Sequence, residues 1–255
     1  MSIIDAIILG IVEGLTEFLP ISSTGHLILT SELLHLPHTD FLSTFEVVIQ
    51  LGAILAVVTL YFKRFLLDWD MNMKLIVGLL PAIVVGVGFY PFIKSLFAAP
   101  GVVAWALILG GIAILGIEQY QATKEKTITS LDQITYKRAF VIGLFQSLAV
   151  IPGVSRAGAT ILGGLIIGME RSIIVEFSFL LAVPTMIAAS SKDLYENINL
   201  LSSIDTTLLL TGFVIAYIVA LLAIRFLIHF VQTHTFKVFG WYRIAVGILF
   251  LLFIL

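Results

Sequence analysis

An apolar region near the N-terminus is interrupted by the sequence Pro20-Ile-Ser-Ser-Thr-Gly-His26, and a second one by Pro152-Gly-Val-Ser-Arg-Ala-Gly158. The two regions comprise residues 3–35 and 138–169. Each arm beside an interruption has roughly 10–15 residues, too few to cross a bilayer, since a spanning helix needs about 20. A broken backbone at membrane depth is tolerated only where protein or a cavity surrounds it. The interruptions therefore predict two re-entrant helical hairpins, which enter the membrane without crossing it.

The composition of the whole chain indicates a membrane protein. Its 255 residues are 60% apolar and 12% charged, and the mean hydropathy is +1.12. Soluble domains are roughly 45–50% apolar and about 25% charged, so a soluble globule is excluded. A net charge of −2 offers no basic face for nucleic acid, and the absence of cysteine excludes disulfides and thiolate chemistry. The first residues lack the basic region of a signal peptide, so we expect the mature chain to start here.

Six further apolar stretches are long enough to span a bilayer: about 42–62, 75–93, 101–120, 174–191, 207–228 and 239–255. They are continuously apolar rather than alternating, which favours helices over a β-barrel. We therefore predict an all-α polytopic membrane protein in which residues 1–255 form one integral domain. It would have six transmembrane helices and two re-entrant hairpins.

The 14 Lys and Arg residues predict the orientation in the membrane. Most of them lie in connections that would share one side: those near 63–74 and 121–138, the start of the fourth span at Arg171, and the last connection with Arg225, Lys237 and Arg243. The other side has Lys94 and Lys192. Because basic residues favour the cytoplasmic side, we expect both termini on the external side of the cytoplasmic membrane.

The two interrupted regions match weakly in sequence. The aligned pairs are Ala6 and Ala139, Gly10 and Gly143, Glu13 and Gln146, Pro20 and Pro152, Ser23 and Ser155, and Glu46 and Glu176. Three crossings separate the hairpins, so the second would enter from the opposite side. This pattern predicts an inverted repeat of approximately residues 1–120 and 137–255, with the site between the repeats at the broken helices.

Glu13 and Glu17 are four residues apart, so both carboxylates lie on one helix face. A carboxylate deep in a bilayer costs roughly 2.5–3.5 kcal/mol even by the gentler scale, and like charges at this spacing repel. Three interpretations stay open at this point. The arm is shallow and both acids reach headgroup water, the pair binds a metal ion, or the two act as acid and base with separated pKa values.

Serines begin the second arm of each hairpin. Ser22 or Ser23 would cap one helix and Ser155 the other, with Arg156 beside it. If the hairpin tips meet, two helix N-termini and a guanidinium point at one place, which suits a phosphate. Three glycines would let the backbone approach such a ligand: Gly25, Gly153 and Gly158. Hydrolysis and anion transport both fit this set of residues, and a purely structural pair between Arg156 and a glutamate is a further alternative.

Other polar residues have simpler interpretations. His35 and His38 flank Pro37 in what reads as an interfacial loop, and a pair of histidines near the last connection, at 229 and 234, reads as a headgroup contact. Glu46 and Glu176 each fall near the start of a span, where they either favour a helix N-terminus or line the site. Gln50 could line the same cavity.

The motifs resemble a known family. The sequences Glu13-Gly-Leu-Thr-Glu-Phe-Leu-Pro-Ile-Ser-Ser-Thr-Gly-His26 and Pro152-Gly-Val-Ser-Arg156-x3-Thr160 resemble the two signatures of the bacterial undecaprenyl-diphosphate phosphatases, the BacA/UppP family. Phe45-Glu-Val-Val-Ile-Gln-Leu-Gly52 is similar to that family too, and the resemblance covers essentially the whole chain. One departure is Ala157, where the family usually has serine, and a phosphate hydrogen bond would be missing there.

The resemblance implies an enzyme that removes the terminal phosphate of undecaprenyl diphosphate, and so recycles the carrier lipid for peptidoglycan synthesis. It implies bacitracin resistance, since bacitracin competes for this substrate, and a divalent cation, Mg²⁺ or Ca²⁺. The alternative is a transporter or flippase of an anionic polyprenyl phosphate lipid. The resemblance leaves open whether the chain forms a homodimer.

Carried over residue by residue, the family's acidic pair falls on Glu13 and Glu17, its hydroxyl on Ser23, its imidazole on His26 and its arginine on Arg156. The two acids would also hold the cation. The phosphates would contact a further set of residues: Ser22, Thr24, Gly25, Gly153, Ser155 and Thr160. Our hypothesis makes Ser23 the nucleophile, with His26 or Glu17 as base; the alternative makes His26 the nucleophile.

Overall fold

The computed structural model describes residues 1–37, 39–97, 99–121, 125–196 and 205–253. Within these ranges the chain is helical, and its β-structure amounts to one isolated bridge between Ile128 and Met169. The helices are α1 (Ile3–Thr16), α2 (Ser23–Leu33), α3 (Asp40–Leu60), α4 (Phe62–Leu67), α5 (Trp69–Gly88), α6 (Tyr90–Phe97), α7 (Pro100–Gln121), α8 (Tyr136–Gln146), α9 (Arg156–Ile166), α10 (Arg171–Glu196), α11 (Thr206–Thr233) and α12 (Lys237–Phe253). The all-α prediction is confirmed for this part of the chain.

Both predicted interruptions break the helices. The first separates α1 from α2, and the second separates α8 from α9, with a short 3-10 turn at 147–150. Serine side chains start the second arms: the Ser22 hydroxyl accepts from the Gly25 amide at 3.4 Å, and that of Ser155 from the Gly158 amide at 3.0 Å. These caps satisfy amides that have no partner within the helix.

Five helices are long and apolar enough to cross a membrane: Asp40–Leu60, Trp69–Gly88, Gly101–Gln121, Arg171–Ser191 and Thr206–Thr233. The chain is therefore a multi-pass membrane protein. The sixth predicted span, 239–255, coincides with α12, which has 17 residues. The span predicted at 75–93 starts earlier, because the Asp68 side chain caps α5 by accepting from the Met71 amide at 2.9 Å.

The helices pack in reciprocal pairs. Helix α1 packs on α11, and its counterpart α8 packs on α5. In the same way α3 packs on α11, and α10 packs on α5. Two further pairs are α3 with α10 and α7 with α12. Glycines allow the close approach. A Cβ atom on Gly10 would lie 2.8 Å from the Gly212 carbonyl oxygen, and one on Gly143 would collide with the Gly78 carbonyl oxygen. The aligned residues Gly10 and Gly143 thus make the same kind of contact in the two halves.

Two basic residues lie elsewhere than their predicted cytoplasmic connections. Arg243 is only 2% exposed and lies in the interior, because its guanidinium binds backbone carbonyls there. Lys74 is buried in α5 and pairs with Asp70 at 2.6 Å. His38, residues 122–124 of the predicted connection near 121–138, and residues 254–255 of the predicted sixth span lie outside the described residues.

Candidate active site

The two helix breaks meet in the interior. The Ser155 hydroxyl donates to the Leu19 carbonyl at 3.4 Å, and the Arg156 Nη2 donates to the Glu17 Oε1 at 2.8 Å. The N-termini of α2 and α9 therefore lie at the same place, and both present free amide groups and the positive ends of their dipoles.

A polar cavity of about 110 Å³ lies at this meeting point. Its lining residues are Glu17, Ser22, Ser23, Thr24, Gln50, Ala149, Val154, Ser155, Arg156 and Met186. Most of the hydroxyl, carboxylate and guanidinium groups that the sequence singled out thus line one cavity, and Gln50 joins them as predicted. Glu13, Gly25, His26, Gly153 and Thr160 do not line it.

Glu17 links the two breaks. Its Oε1 binds Arg156, and its Oε2 accepts a hydrogen bond from the Ser23 hydroxyl at 2.6 Å. Glu17 is 7% exposed, so both bonds form largely out of water, where charge-assisted hydrogen bonds are strong. The carboxylate is placed to accept the Ser23 proton while Arg156 fixes its orientation.

Arg156 is held on several sides. Its Nη1 donates to the Ser178 carbonyl at 3.0 Å, and its Cζ lies 5.8 Å from the ring centroid of Phe18. The Thr160 hydroxyl bonds to the Ser178 hydroxyl at 2.6 Å and therefore supports the Arg156 partner rather than the cavity. The Arg156 Nε is buried and has no partner in the described structure, which leaves this donor for an anion.

His26 is turned away from Ser23. Its Nδ1 bonds to the Ser22 carbonyl at 2.7 Å, and its Nε2 bonds to the Tyr242 hydroxyl at 2.8 Å, with the two rings stacked. Both ring nitrogens are therefore engaged, and neither is bonded to the Ser23 hydroxyl. Of the two predicted bases, the geometry brings Glu17 to Ser23.

Glu13 lies behind the cavity with no exposed surface. The interpretation in which it reaches headgroup water is wrong, because it is fully enclosed. Neither of its carboxylate oxygens has a hydrogen-bond partner in the described structure, and Glu17, Glu46 and Arg156 act on it electrostatically.

Glu46 lies in the second turn of α3, so its predicted role at the helix N-terminus is wrong.

The residues present fit a divalent cation in one respect. Two buried, unpartnered carboxylate oxygens are the hard donors that Mg²⁺ and Ca²⁺ prefer. Among the described residues no cluster of three or more His, Cys, Asp or Glu side chains has the geometry of a metal site. Glu13 is therefore the residue that could hold such a cation, and it would need further oxygen ligands to complete the coordination.

Three further residues singled out in the sequence do not line the cavity. A Cβ atom on Gly25 would be in ordinary contact with Leu107 and Val103 of α7, whereas one on Gly153, at φ +87°, would lie 2.7 Å from the Val103 carbonyl oxygen, so Gly153 is what admits α7. Ala157 is fully buried in the apolar core.

Ser22 has a strained backbone, with φ 74° and ψ 99°. A non-glycine residue with this φ costs of order 1–3 kcal/mol and persists only where its surroundings enforce it. Here the strain turns the chain so that Ser22, Ser23 and Thr24 all face the cavity.

An apolar groove of about 780 Å³ adjoins the polar cavity. Val154 and Ser155 line both spaces, and the other groove residues, which come mainly from α7 and α9, are apolar except Arg243. The site therefore joins a small polar compartment to a larger, mostly apolar one.

The family model for bacitracin resistance protein BacA matches residues 6–249, nearly the whole chain. The chain belongs to the BacA family. The matched BacA segment contains both helix breaks and every residue that lines the polar cavity.

Curated relatives agree with the BacA assignment. A protein of Wolinella succinogenes is 52% identical over 254 residues, which cover 100% of this chain and 99% of the relative. One of Persephonella marina is 51% identical over 255 residues and 100% of both chains. One of Sulfurihydrogenibium is 50% identical over 252 residues and 99% of both. Each of these relatives carries the name undecaprenyl-diphosphatase.

Sequence reasoning missed three polar residues around this BacA site: Ser178, Tyr242 and Arg243. Ser178 and Tyr242 look like ordinary residues of spans. Arg243 carried a signal, since it is the seventh residue of a helix whose one other charged residue is Lys237, at its start.

Proposed function

We propose that this chain hydrolyses undecaprenyl diphosphate to undecaprenyl phosphate and inorganic phosphate. The observation that carries the proposal is the bonding of Glu17 to both Ser23 and Arg156 at a cavity where two helix N-termini meet. A hydroxyl, its base and a cationic clamp are the parts that phosphoryl transfer needs. The name shared by relatives at about half identity supports the same reaction.

The two compartments of the site support a lipid substrate. The polar cavity suits the diphosphate, and the apolar groove suits the isoprenoid chain, which would pass between them beside Val154 and Ser155. A free diphosphate would leave the groove unused. The carrier lipid so regenerated serves peptidoglycan synthesis.

In the proposed reaction, the Ser23 oxygen attacks the terminal phosphorus as Glu17 takes its proton. The Ser23 O–P bond forms, and the bond from the terminal phosphorus to the bridging oxygen breaks, so the lipid monophosphate leaves. Water then hydrolyses the phosphoserine and releases inorganic phosphate. Arg156 and the amide groups at the starts of α2 and α9 stabilise the charge on the equatorial oxygens.

Glu13 is the residue that would hold a divalent cation, with Glu17 beside it. When bound, the cation neutralises part of the diphosphate charge. Glu13 itself would then no longer be an unpaired buried carboxylate.

We also propose the arrangement in the membrane. The chain would have six spans, with α12 as the sixth, and the arms of α1–α2 and α8–α9 would enter without crossing. The reciprocal packing of α1 on α11 and α8 on α5 supports an inverted repeat of approximately residues 1–120 and 137–255. Both termini would face outward from the bacterial inner membrane.

Because the chain has no cysteine, single cysteines can test this orientation. A membrane-impermeant maleimide applied to spheroplasts should label Ser2→Cys and spare Lys137→Cys, both at exposed positions. The reverse pattern would invert the proposed topology.

The decisive assay measures phosphate release from a polyprenyl diphosphate by the purified protein in detergent. We expect release by the unmodified chain, loss with Arg156→Ala, and retention with Arg225→Ala, which removes an exposed arginine. Bacitracin should lower the rate by capturing the substrate. We also propose that the site is complete within one chain, so that a homodimer would not be required for the reaction.

A second candidate is a transporter of a polyprenyl phosphate lipid. The reciprocal packing of the halves favours it, because inverted repeats are common in transporters. Transbilayer movement of the lipid in vesicles, with no phosphate release in detergent, would support this candidate over the phosphatase.

A further inference from the structure

Arg243 is a buried cation whose partners are backbone carbonyls. It is 2% exposed, and no described carboxylate forms an ion pair with it. Its guanidinium donates four hydrogen bonds instead. They run from Nη1 to Pro20 O at 3.2 Å, from Nη2 to Gly153 O at 3.2 Å and to Ala106 O at 2.9 Å, and from Nε to Leu107 O at 3.3 Å.

Two of these carbonyls belong to the helix breaks. Pro20 precedes Ser23 by three residues, and Gly153 precedes Arg156 by three residues. A carbonyl in a broken segment has no helical partner and is costly to bury unpaired. One guanidinium satisfies both carbonyls, and through α7 it ties them to a rigid helix. A lysine could not do so, because its donors radiate from a single nitrogen.

The packing around the guanidinium leaves room for it. A Cβ atom on Gly110 would collide with Nη2 and would lie 2.7 Å from Cζ. Gly110 therefore admits the guanidinium against α7.

We propose that Arg243 is a positioning residue that sets the distance between the two hairpin tips, and thereby between Ser23 and Arg156. It does not touch the reacting atoms. The inference rests on the proposed phosphatase function for its kinetic consequence, whereas the tip-to-tip geometry can be measured without any substrate.

The kinetic test compares Arg243→Ala and Arg243→Lys with the unmodified chain. A misplacement of about 1 Å between reacting groups costs up to about a hundredfold in rate, so we expect kcat to fall by about ten- to a hundredfold, with KM within about threefold. Guanidinium ion should restore kcat in Arg243→Ala, whereas equal concentrations of sodium or urea should not. Retention of kcat within about twofold would overturn the proposal.

A second variant displaces the guanidinium without removing it. Gly110→Ala should lower kcat as Arg243→Ala does, while Gly116→Ala, on the same helix with open space around it, should not. This pair keeps the inference testable if Arg243→Ala does not fold. Equal activity in the two glycine variants would contradict it.

The geometric test uses the cysteine-free chain with Leu19→Cys and Ser155→Cys, whose parent residues touch across the breaks. A short bifunctional thiol reagent should join them efficiently. The yield should drop when Gly110→Ala is added and stay unchanged with Gly116→Ala. If the cross-linking yield is unchanged with Gly110→Ala as well as with Gly116→Ala, the positioning role is overturned, whatever reaction the protein catalyses. If the yield drops with Gly110→Ala but the unmodified chain releases no phosphate, only the proposed function is refuted.

Discussion

The Ser23 hydroxyl donates a 2.6 Å hydrogen bond to Glu17, and the two residues stand on opposite sides of a helix break. The same carboxylate binds Arg156, which is 139 positions away in the chain. The proposed nucleophile is thus already hydrogen-bonded to its base before the reaction starts. Arg156, which would bind the phosphate, orients that base.

Replacing Ser23 with alanine should lower phosphate release by at least about a thousandfold, because it removes the attacking oxygen. Substrate binding should persist in part, since Arg156 and the helix N-termini remain. The matched control is Ser31→Ala on the same helix, whose buried hydroxyl has no partner in the described structure. A near-native rate in Ser23→Ala would exclude serine as the nucleophile.

Glu17→Gln keeps the shape of the side chain but removes its charge. We expect kcat to fall by about 10²–10⁴-fold through loss of the base. The free energy of unfolding should also fall, by up to about 3–5 kcal/mol, because Arg156 is left as an unpaired buried charge. Activity and thermal stability in detergent measure the two effects, with the exposed Glu32→Gln as control. Full activity in Glu17→Gln would refute the role of this carboxylate as base.

Glu13→Gln should raise the melting temperature measured in EDTA, because an amide costs less to bury than an unpaired carboxylate. Mg²⁺ or Ca²⁺ should stabilise the unmodified chain and fail to stabilise the variant. Thermal unfolding in detergent gives both readings without an activity assay. Equal stabilisation of the two proteins by the cation would show that Glu13 is not a ligand.

His26→Ala should reduce activity far less than Ser23→Ala, because the imidazole bonds to Ser22 and Tyr242 rather than to the Ser23 hydroxyl. Tyr242→Phe, which removes only that hydroxyl, should have a smaller effect still. Acid-labile phosphate trapped on His26 in single-turnover experiments would instead establish histidine as the nucleophile.

Gly143→Ala should destabilise the protein by about 1–3 kcal/mol, since its Cβ would collide with the Gly78 carbonyl on α5. Gly86→Ala is the control, because a Cβ there meets nothing within 4 Å. Both changes gain similar helix propensity, so the difference in melting temperature isolates the collision. Gly10→Ala should behave like Gly143→Ala if the two halves are repeats.

Much of the fold could be predicted from local sequence. Continuous apolar runs determine the spans, because a bilayer core must be crossed by helices of a fixed minimum length. Proline together with serine caps determines the breaks, since Pro20 and Pro152 lack an amide hydrogen and Ser22 and Ser155 supply the missing partners. The groups of the site could also be predicted from local sequence, because a charged residue within an apolar segment is costly and therefore marks a functional site.

The choice among these groups was decided only by the tertiary structure. Sequence spacing left His26 and Glu17 as equal candidates for the base, and it placed Arg243 at a cytoplasmic connection. The structure bonds His26 to Tyr242, 216 positions away, and Arg243 to Pro20, 223 positions away. Such contacts depend on which helix faces meet, and periodicity within one segment does not specify this. The sequence by itself determined that charged residues lie beside two helix breaks, and packing determined which of these charges bond to one another there.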